Sequence, residues 1–268
     1  MKKSLNHCTK WNLRCIACLV PSFLGIAVFF LFPYVRVLYY SVINNQFQKK
    51  FVLFRNYREV LQNSYFQLAM KNSLLLIVIA VPVLLALALL LSFLLSFSMR
   101  KFSFLRDLFI FPMLVPTAAI VLVWRVFFAD SQTALPVYAL FVWKNLGICI
   151  ILLTAALTTI DETIYEAARL DGATAFRLHL SISTPLILPA LFFTMLLAIM
   201  NSFKVFKESY LFYGGKYPPD HSYTLQFFMN NNFLKFDYQA LASASVITSL
   251  LVLVIVFAGL AAQRRVQS

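Results

Sequence analysis

One short segment of this chain concentrates the side chains that could exchange protons, bind a metal or form ion pairs. In a sequence that is 61% hydrophobic and only 12% charged, five ionisable residues fall within fourteen positions: Glu166, Arg169, Asp171, Arg177 and His179. Acid–base or metal chemistry would need His or Cys at ligand spacing beside the carboxylates, and the sequence does not provide that spacing. The segment therefore needs either water or a protein partner.

The local sequence of this segment predicts a short helix, a turn and a second short helix. Glu166 lies near the start of the first helix and Arg169 near its end, which suits the helix macrodipole. Gly172 can adopt the left-handed conformation that ends such a helix, and residues 173–182 can begin the second arm. Alanines keep the arms slim and leucines give them apolar faces. This hairpin is shaped to lie in a cleft of another protein; an ordinary interfacial loop with solvated charges is the alternative.

The rest of the chain indicates a membrane protein. With 268 residues, 28 Phe, 12 Tyr and a mean hydropathy of +0.80, it carries more apolar surface than one soluble core can hide. About 20 apolar residues cross the hydrocarbon, and backbone in lipid must satisfy its own hydrogen bonds. We therefore predict an all-α, polytopic membrane protein with six transmembrane helices. The six runs are residues 15–42, 72–97, 107–128, 135–159, 185–212 and 240–262.

An even number of spans places both termini on one side of the membrane, and the basic residues favour the cytoplasm. With that orientation the inner segments hold 11 Lys and Arg and the outer segments hold 7. The first apolar run lacks a small-x-small cleavage site, so we expect a retained span. The net charge of +13 is better explained by anionic lipid headgroups than by nucleic acid.

Ionisable side chains within apolar spans usually mark a pore, a partner or a functional site. Six stand in the interior of the predicted spans: Arg36, Arg125, Lys144, Lys204, Lys207 and Glu208. In the fifth span Lys204 and Glu208 are at i and i+4, where they could neutralise each other on one helix face. A wet path is therefore predicted there, with polar contacts between helices as the alternative. Its predicted lining residues are Asn201, Ser202, Lys204, Glu208 and Tyr210.

At the charged segment the chain resembles the membrane subunits of binding-protein-dependent ABC importers. Their cytoplasmic loop reads E-A-A-x-x-D-G-A, then eight residues, then I-x-L-P. Here Thr184 replaces the Leu of that pattern. The remaining positions match: Glu166, Ala167, Ala168, Asp171, Gly172, Ala173, Ile182 and Pro185.

The likeness extends over most of the chain and points to the sugar-type branch, in particular to the first-subunit kind of the maltose transporter. Before the second span, the likeness lies in the segments LFPYVRVLYYSV and NYREVL. In the third span it lies in FLRDLFIFPMLVP and VWRVFF, and in the fifth span it lies in SFKVFKESYLFYGG. Two features depart from it. The outer segment between spans three and four is short, and Gly-Gly-Gly-Pro is missing after span five.

The resemblance implies a type I ABC importer permease fold, one domain over residues 1–268 with a coupling loop at 161–185. The implied partners are a homologous second permease subunit in a heterodimer, two ATPase subunits, an extracytoplasmic solute-binding protein and membrane lipid. ATP and Mg²⁺ would bind the ATPase subunits, since this chain lacks the G-x-x-x-x-G-K-[ST] motif. We expect no cofactor and no enzyme activity on this chain. The residues implied to dock on the ATPase are Glu166, Ala167, Ala168, Arg169, Asp171, Gly172 and Ala173.

These observations predict half of the pore of an ATP-driven importer for a sugar or oligosaccharide, in the cell (inner) membrane of a bacterium or archaeon. The main alternative is an importer for a polyol, glycerol phosphate or peptide. A secondary transporter would show inverted repeats and broken helices, of which the sequence gives no clear sign. A lipid-modifying membrane enzyme would need clustered catalytic groups near one interface.

Overall fold

The computed structural model describes residues 18–96, 103–128, 131–174 and 177–267. Within these ranges the chain is almost wholly helical, as the apolar composition predicts. The helices are α1 (Cys18–Ser41), α2 (Arg55–Gln62), α3 (Ser64–Ser96), α4 (Ser103–Leu114), α5 (Thr117–Phe127), α6 (Leu135–Leu157), α7 (Glu162–Leu170), α8 (Leu178–Leu186), α9 (Leu188–Ser202), α10 (Phe206–Tyr213), α11 (Leu225–Leu234) and α12 (Tyr238–Gln267).

Four of the described helices are long and apolar enough to cross a bilayer: α1, α3, α6 and α12. The bent pairs α4 with α5 and α8 with α9 bring the number to six if each pair is one span. The prediction of an all-α membrane protein is therefore confirmed. Helix α3 begins eight residues before its predicted span, because hydropathy marks the apolar run and not the polar turns that continue the helix. Residues 15–17 of the first predicted span lie outside the described residues.

The two bent pairs correct the prediction of unbroken third and fifth spans. α4 and α5 meet at 106°, and α8 and α9 meet at 75°. At the first bend Pro116 has an extended backbone, with φ −52° and ψ 130°, and a new helix starts at Thr117. Proline disfavours helical geometry in the residue before it, which accounts for the break. At the second bend Ile187, with ψ 7°, separates the two helices.

The described chain forms two compact units. The first comprises the described residues up to Leu61 together with Asn232–Ile247, and the second comprises the described residues of the range 62–231 and of the range from Thr248 onward. The second unit contains α3 to α10 and therefore both the charged hairpin and the polar part of the fifth predicted span. The single permease domain over residues 1–268 stays a prediction.

In the first unit, the segment after α1 folds back and is tied to α2 by polar side chains. Ile43 pairs with Phe51 in an antiparallel bridge. The buried Asn56 donates from Nδ2 to the carbonyl oxygens of Ser41 at 3.0 Å and Ile43 at 2.8 Å. The hydroxyl groups of Ser41 and Tyr57 lie 2.6 Å apart. The bond to Ser41 satisfies a carbonyl group that the end of α1 leaves without a helical partner.

The apolar core of the second unit lies mainly between α3, α6 and α9. Leu84 and Ala88 of α3 and Ile150 and Leu153 of α6 are fully buried within it. Elsewhere in α6, Gly147 allows α4 to approach closely. A Cβ atom at this position would lie only 2.0 Å from the carbonyl oxygen of Phe109. Small residues at such crossings let membrane helices pack backbone to backbone.

In contrast to the helices of this core, helix α1 has an exposed apolar surface. None of the residues in its most apolar window is buried. The side chains of Phe29 and Phe30 are 74% and 72% exposed. An apolar surface of this size is stable only against lipid or another protein.

The contact between Gly147 and α4 gives a first prediction. Gly147→Ala should lower the stability of the purified protein in detergent by about 1–3 kcal/mol, the usual cost of overpacking. The backbone of α4 cannot move aside as a flexible side chain could. Thermal unfolding followed by intrinsic fluorescence measures the change. Gly25→Ala in α1 is the matched control, since a Cβ atom there meets nothing within 4 Å. Equal melting temperatures for the two variants would contradict the close approach.

Candidate functional site

The first arm of the charged hairpin is α7, and Asp161 fixes its start. The Asp161 carboxylate accepts hydrogen bonds of 2.9 Å from the backbone N–H and from the hydroxyl group of Thr163. These two bonds, the backbone bond first, hold the pKa of the Asp161 carboxyl below its usual value. With Glu162 in the first turn and Arg169 in the last, the charges complement the helix macrodipole.

The turn after α7 depends on Gly172. Its φ angle is 75°, so the predicted left-handed conformation is confirmed. The N–H of Gly172 donates to the carbonyl of Arg169, and the N–H of Ala173 donates to the carbonyl of Ala168, both at 3.0 Å. These are the two bonds of a Schellman motif. A Cβ atom would have space at Gly172, but L-residues rarely adopt this backbone conformation.

The second arm, α8, begins with a π-helical turn at Leu178–Ser183. The sequence predicted an ordinary helix over 173–182, of which residues 175 and 176 lie outside the described residues. Composition cannot distinguish an α-helix from a π-helix, since the two differ only in whether each backbone hydrogen bond spans four or five residues. Single π-helical turns are rare and are frequent at functional sites.

One side-chain contact joins the two arms of the hairpin, and a second connects the hairpin to the rest of the second unit. The hydroxyl groups of Tyr165 in α7 and Ser183 in α8 lie 3.1 Å apart. The ring of His179 in α8 stacks on Phe93 of α3, with centroids 4.4 Å apart and an interplanar angle of 16°. The two arms are therefore joined to each other and to a long apolar helix.

The surface of the hairpin combines charge with an exposed apolar side chain. Leu170, at the end of α7, is 90% exposed. Of the residues implied to dock, Ala168 is buried and Ala173 is half-buried. The others are exposed: Glu166, Ala167, Arg169, Asp171 and Gly172. Their docking role stays a prediction at this point.

The second unit also contains a cavity of about 370 Å³ between α4, α6, α9 and α10. Three of the five predicted path residues line it: Asn201, Lys204 and Glu208. Ser202 is not among its lining residues, and its hydroxyl donates to the Ile199 carbonyl at 2.6 Å. Tyr210 does not line it either, and packs against the ring of Phe206, with centroids 5.3 Å apart.

The acidic residue of this cavity is neutralised across helices and not along one helix. Glu208 of α10 forms an ion pair with Lys144 of α6, and the two side chains are 14% and 18% exposed. Lys144 also donates to the hydroxyl of Thr117 at 3.1 Å. The predicted pair of Lys204 with Glu208 is therefore wrong. Residues 203–205 form a turn between α9 and α10, so positions i and i+4 do not share a helix face.

A pair of amides continues the polar lining. Asn201 donates from Nδ2 to Oδ1 of Asn145 at 3.0 Å, and Asn145 donates to the carbonyl of Phe141 at 2.8 Å. The predicted path omitted Lys144 and Asn145. Their signal in the sequence is two adjacent polar residues in the middle of the apolar run of α6.

Bent apolar helices, an exposed charged hairpin and a polar cavity at membrane-type helices define a multi-spanning transport protein. Residues 99–268, more than half of the chain, match the family described as the inner membrane component of binding-protein-dependent transport systems. The chain belongs to this family. It is thus a transport permease and not a catalytic enzyme, as predicted.

Relatives that are named for sugar transport match most of the chain. It is 26% identical to the arabinooligosaccharide permease AraP of Bacillus subtilis, over 88% of this chain and 83% of AraP. It is 25% identical to the lactose permease LacF of Rhizobium radiobacter, over 88% of this chain and 89% of LacF. It is 26% identical to the trehalose/maltose permease MalF of Thermococcus litoralis, over 88% of both chains.

Solved structures support the fold. A chain of a bacterial ABC transporter involved in the import of the acidic polysaccharide alginate matches with a TM-score of 0.81 and 18% identity. The match covers 98% of this chain and 99% of that chain. A chain of the alginate transporter bound to its periplasmic protein matches with a TM-score of 0.78 and 19% identity, over 96% of both chains. The predicted importer permease fold is confirmed.

The ion pair gives a second prediction. Lys144→Met or Glu208→Gln alone should lower the free energy of unfolding by about 3 kcal/mol, since each leaves the other polar group without its partner in a largely buried site. The double variant should cost clearly less than the sum of the two. Chemical unfolding in mixed detergent micelles measures all three. Lys204→Met, in the same cavity but outside the pair, should leave stability unchanged. Additive single effects would refute the pairing.

Proposed function

We propose that this chain forms half of the translocation pore of an ATP-driven importer for a sugar or oligosaccharide, beside a homologous second permease subunit. Its family is defined by binding-protein-dependent transport. The relatives are named for arabinooligosaccharides, lactose, and trehalose or maltose. An extracytoplasmic solute-binding protein would deliver the solute.

The exposed hairpin carries this proposal. Leu170 is 90% exposed at the tip of a short helix, and Glu166 and Arg169 lie exposed on the same helix. An apolar side chain flanked by charges is well suited to enter a pocket of another protein, where Glu166 would pair with a basic group. The partner is a separate ATPase subunit, two of which would bind ATP and Mg²⁺ and supply the energy.

The contacts of the hairpin indicate how docking would move the spans. A pull on α7 is transmitted to α8 through Tyr165 and Ser183, 3.1 Å apart, and from α8 to α3 through the stacked rings of His179 and Phe93. Closure of the ATPase dimer would then rock these helices between inward-open and outward-open states. The π-helical turn lies on this route.

The orientation of the chain in the membrane follows from the proposed docking on the ATPase subunit. A hairpin that docks on an ATPase lies in the cytoplasm, and an even number of spans places both termini there as well. The opposite face meets the binding protein. Since the outer segment between α5 and α6 is short, the segment between α1 and α3 offers more surface for that contact.

The cavity would then form part of the solute path. Asn201, Lys204 and Glu208 provide an amide, an ammonium and a carboxylate along its wall, together with Asn145 and Lys144. Hydroxyl groups of a sugar can both donate to and accept from such side chains.

Charge reversal at Glu166 tests the docking role. Glu166→Lys should leave membrane insertion intact but lower solute uptake by about tenfold or more, because a charged contact to the ATPase is lost and replaced by repulsion. Uptake and ATP hydrolysis are measured together in proteoliposomes. Glu162→Lys is the control for helix stability, since a charge reversal beside the helix N-terminus destabilises α7 more than the same reversal at Glu166 does. Normal uptake by the Glu166→Lys transporter would reject the proposed docking.

The turn itself gives a fourth prediction. Gly172→Val should weaken assembly with the ATPase, since a β-branched residue at φ 75° is strained by about 1–2 kcal/mol or more. The amount of ATPase that co-purifies with the chain is the measurement. Gly215→Val is the matched control, because Gly215 also has open space but no positive φ. Equal recovery of the ATPase with both variants would count against a shaped docking turn.

A further inference from the structure

The cavity between α4, α6, α9 and α10 is not electrically neutral. Its lining contains two ammonium groups, Lys144 and Lys204, and one carboxylate, Glu208. The carboxylate is held by Lys144 in a pair whose side chains are largely buried. One positive charge, on Lys204, therefore remains.

Lys204 finds no counter-ion within the part of the chain that the structure describes. Glu208 is the one carboxylate among the described residues lining the cavity, and it is bound to Lys144. The turn at residues 203–205 separates Lys204 from the helix face of Glu208. The Lys204 side chain is exposed, so its ammonium group is accessible to a ligand.

The surroundings of this charge strengthen its effect on an anion. Phe141, Ile148, Leu197 and Val205 form apolar walls of the same cavity. Opposite charges beside such apolar walls attract one another more strongly than they do in water, because the local dielectric constant is lower. Ionisable groups at membrane depth are retained where they have a functional partner.

The remaining polar groups suit a hydroxylated molecule. Asn145 and Asn201 are joined by one hydrogen bond, which leaves acceptor capacity on the Asn201 oxygen. The cavity volume of about 370 Å³ falls in the range of small-molecule sites. A polyhydroxylated solute with one anionic group would match both the amides and the unpaired ammonium.

We infer that the imported solute carries an anionic group, a carboxylate or a phosphate, and that Lys204 binds this group during passage. The inference rests on the proposed function, because it names the substrate class of the same cavity. The competing arrangement is a neutral solute, with a carboxylate of the second permease subunit neutralising Lys204.

The experiment uses the complete transporter, with second permease subunit, ATPase and binding protein, in proteoliposomes. ATP-dependent uptake is measured for three probes: a galacturonate disaccharide, the matching neutral galactose disaccharide and a disaccharide monophosphate. The uronate and phosphate arms distinguish the two sources of the anion. Because the binding protein is the same throughout, a change caused by a substitution in this chain belongs to the membrane step.

The wild-type transporter should take up at least one anionic probe in preference to the neutral one. Lys204→Met should lower that uptake by about tenfold or more, as expected when a hydrogen bond to a charged group is lost, and should lower any neutral uptake far less. Lys204→Arg should retain most of the activity. Lys207→Met is the matched control, since Lys207 is exposed and is not a lining residue of the cavity.

Three results overturn the inference while the proposed function stands: transport of the neutral probe alone, equal loss of anionic and neutral uptake in Lys204→Met, or no loss at all. Absence of ATP-dependent uptake of every probe, with no ATPase co-purifying with the chain, would instead overturn the proposed function, and the inference with it.

Discussion

The structure depends on one constraint: in hydrocarbon, backbone groups and charges must find their partners inside the protein. The apolar runs meet it by forming helices. Breaks in those helices are tolerated only where protein or a polar cavity covers the freed groups. The turn at residues 203–205 obeys this rule, because it lies at the cavity lined by Asn201, Lys204 and Glu208. The same constraint that makes the chain helical therefore localises its irregular and functional parts.

The constraint also explains why Glu208 is paired across helices. A carboxylate at membrane depth needs a close cation, and Lys204, four positions earlier in the sequence, is separated from Glu208 by the turn. Lys144 of α6 lies within ion-pair distance and is itself held by Thr117. The pair joins α6 to α10 and reaches Thr117 at the start of α5. The turn that interrupts the fifth predicted span thus belongs to the same arrangement as the polar contacts that join α5, α6 and α10.

Local features of the sequence were sufficient for much of the fold. The apolar runs predicted the helices, and the Asp-Gly step predicted the left-handed turn at Gly172, because both effects act within a few residues. The bends at Pro116 and Ile187 were missed, since an apolar run shows that a helix is stable in lipid but not its direction. The partner of Glu208 was missed because it stands 64 positions away. The likeness to E-A-A-x-x-D-G-A, and not composition, led to the proposed docking role of the hairpin.

Broken helices by themselves do not separate an ATP-driven permease from a secondary transporter, since a cavity at membrane depth requires interrupted helices in either case. Under the proposed function, the hairpin distinguishes the two classes of transporter. A secondary transporter moves by binding its solute and ions within the membrane and has no use for an exposed Leu170 beside charges on a capped helix. A permease driven from outside the membrane needs such a surface, and it needs a rigid connection from that surface to its spans. In the proposed importer, the Schellman turn at Gly172 and the stacked rings of His179 and Phe93 would provide that rigidity.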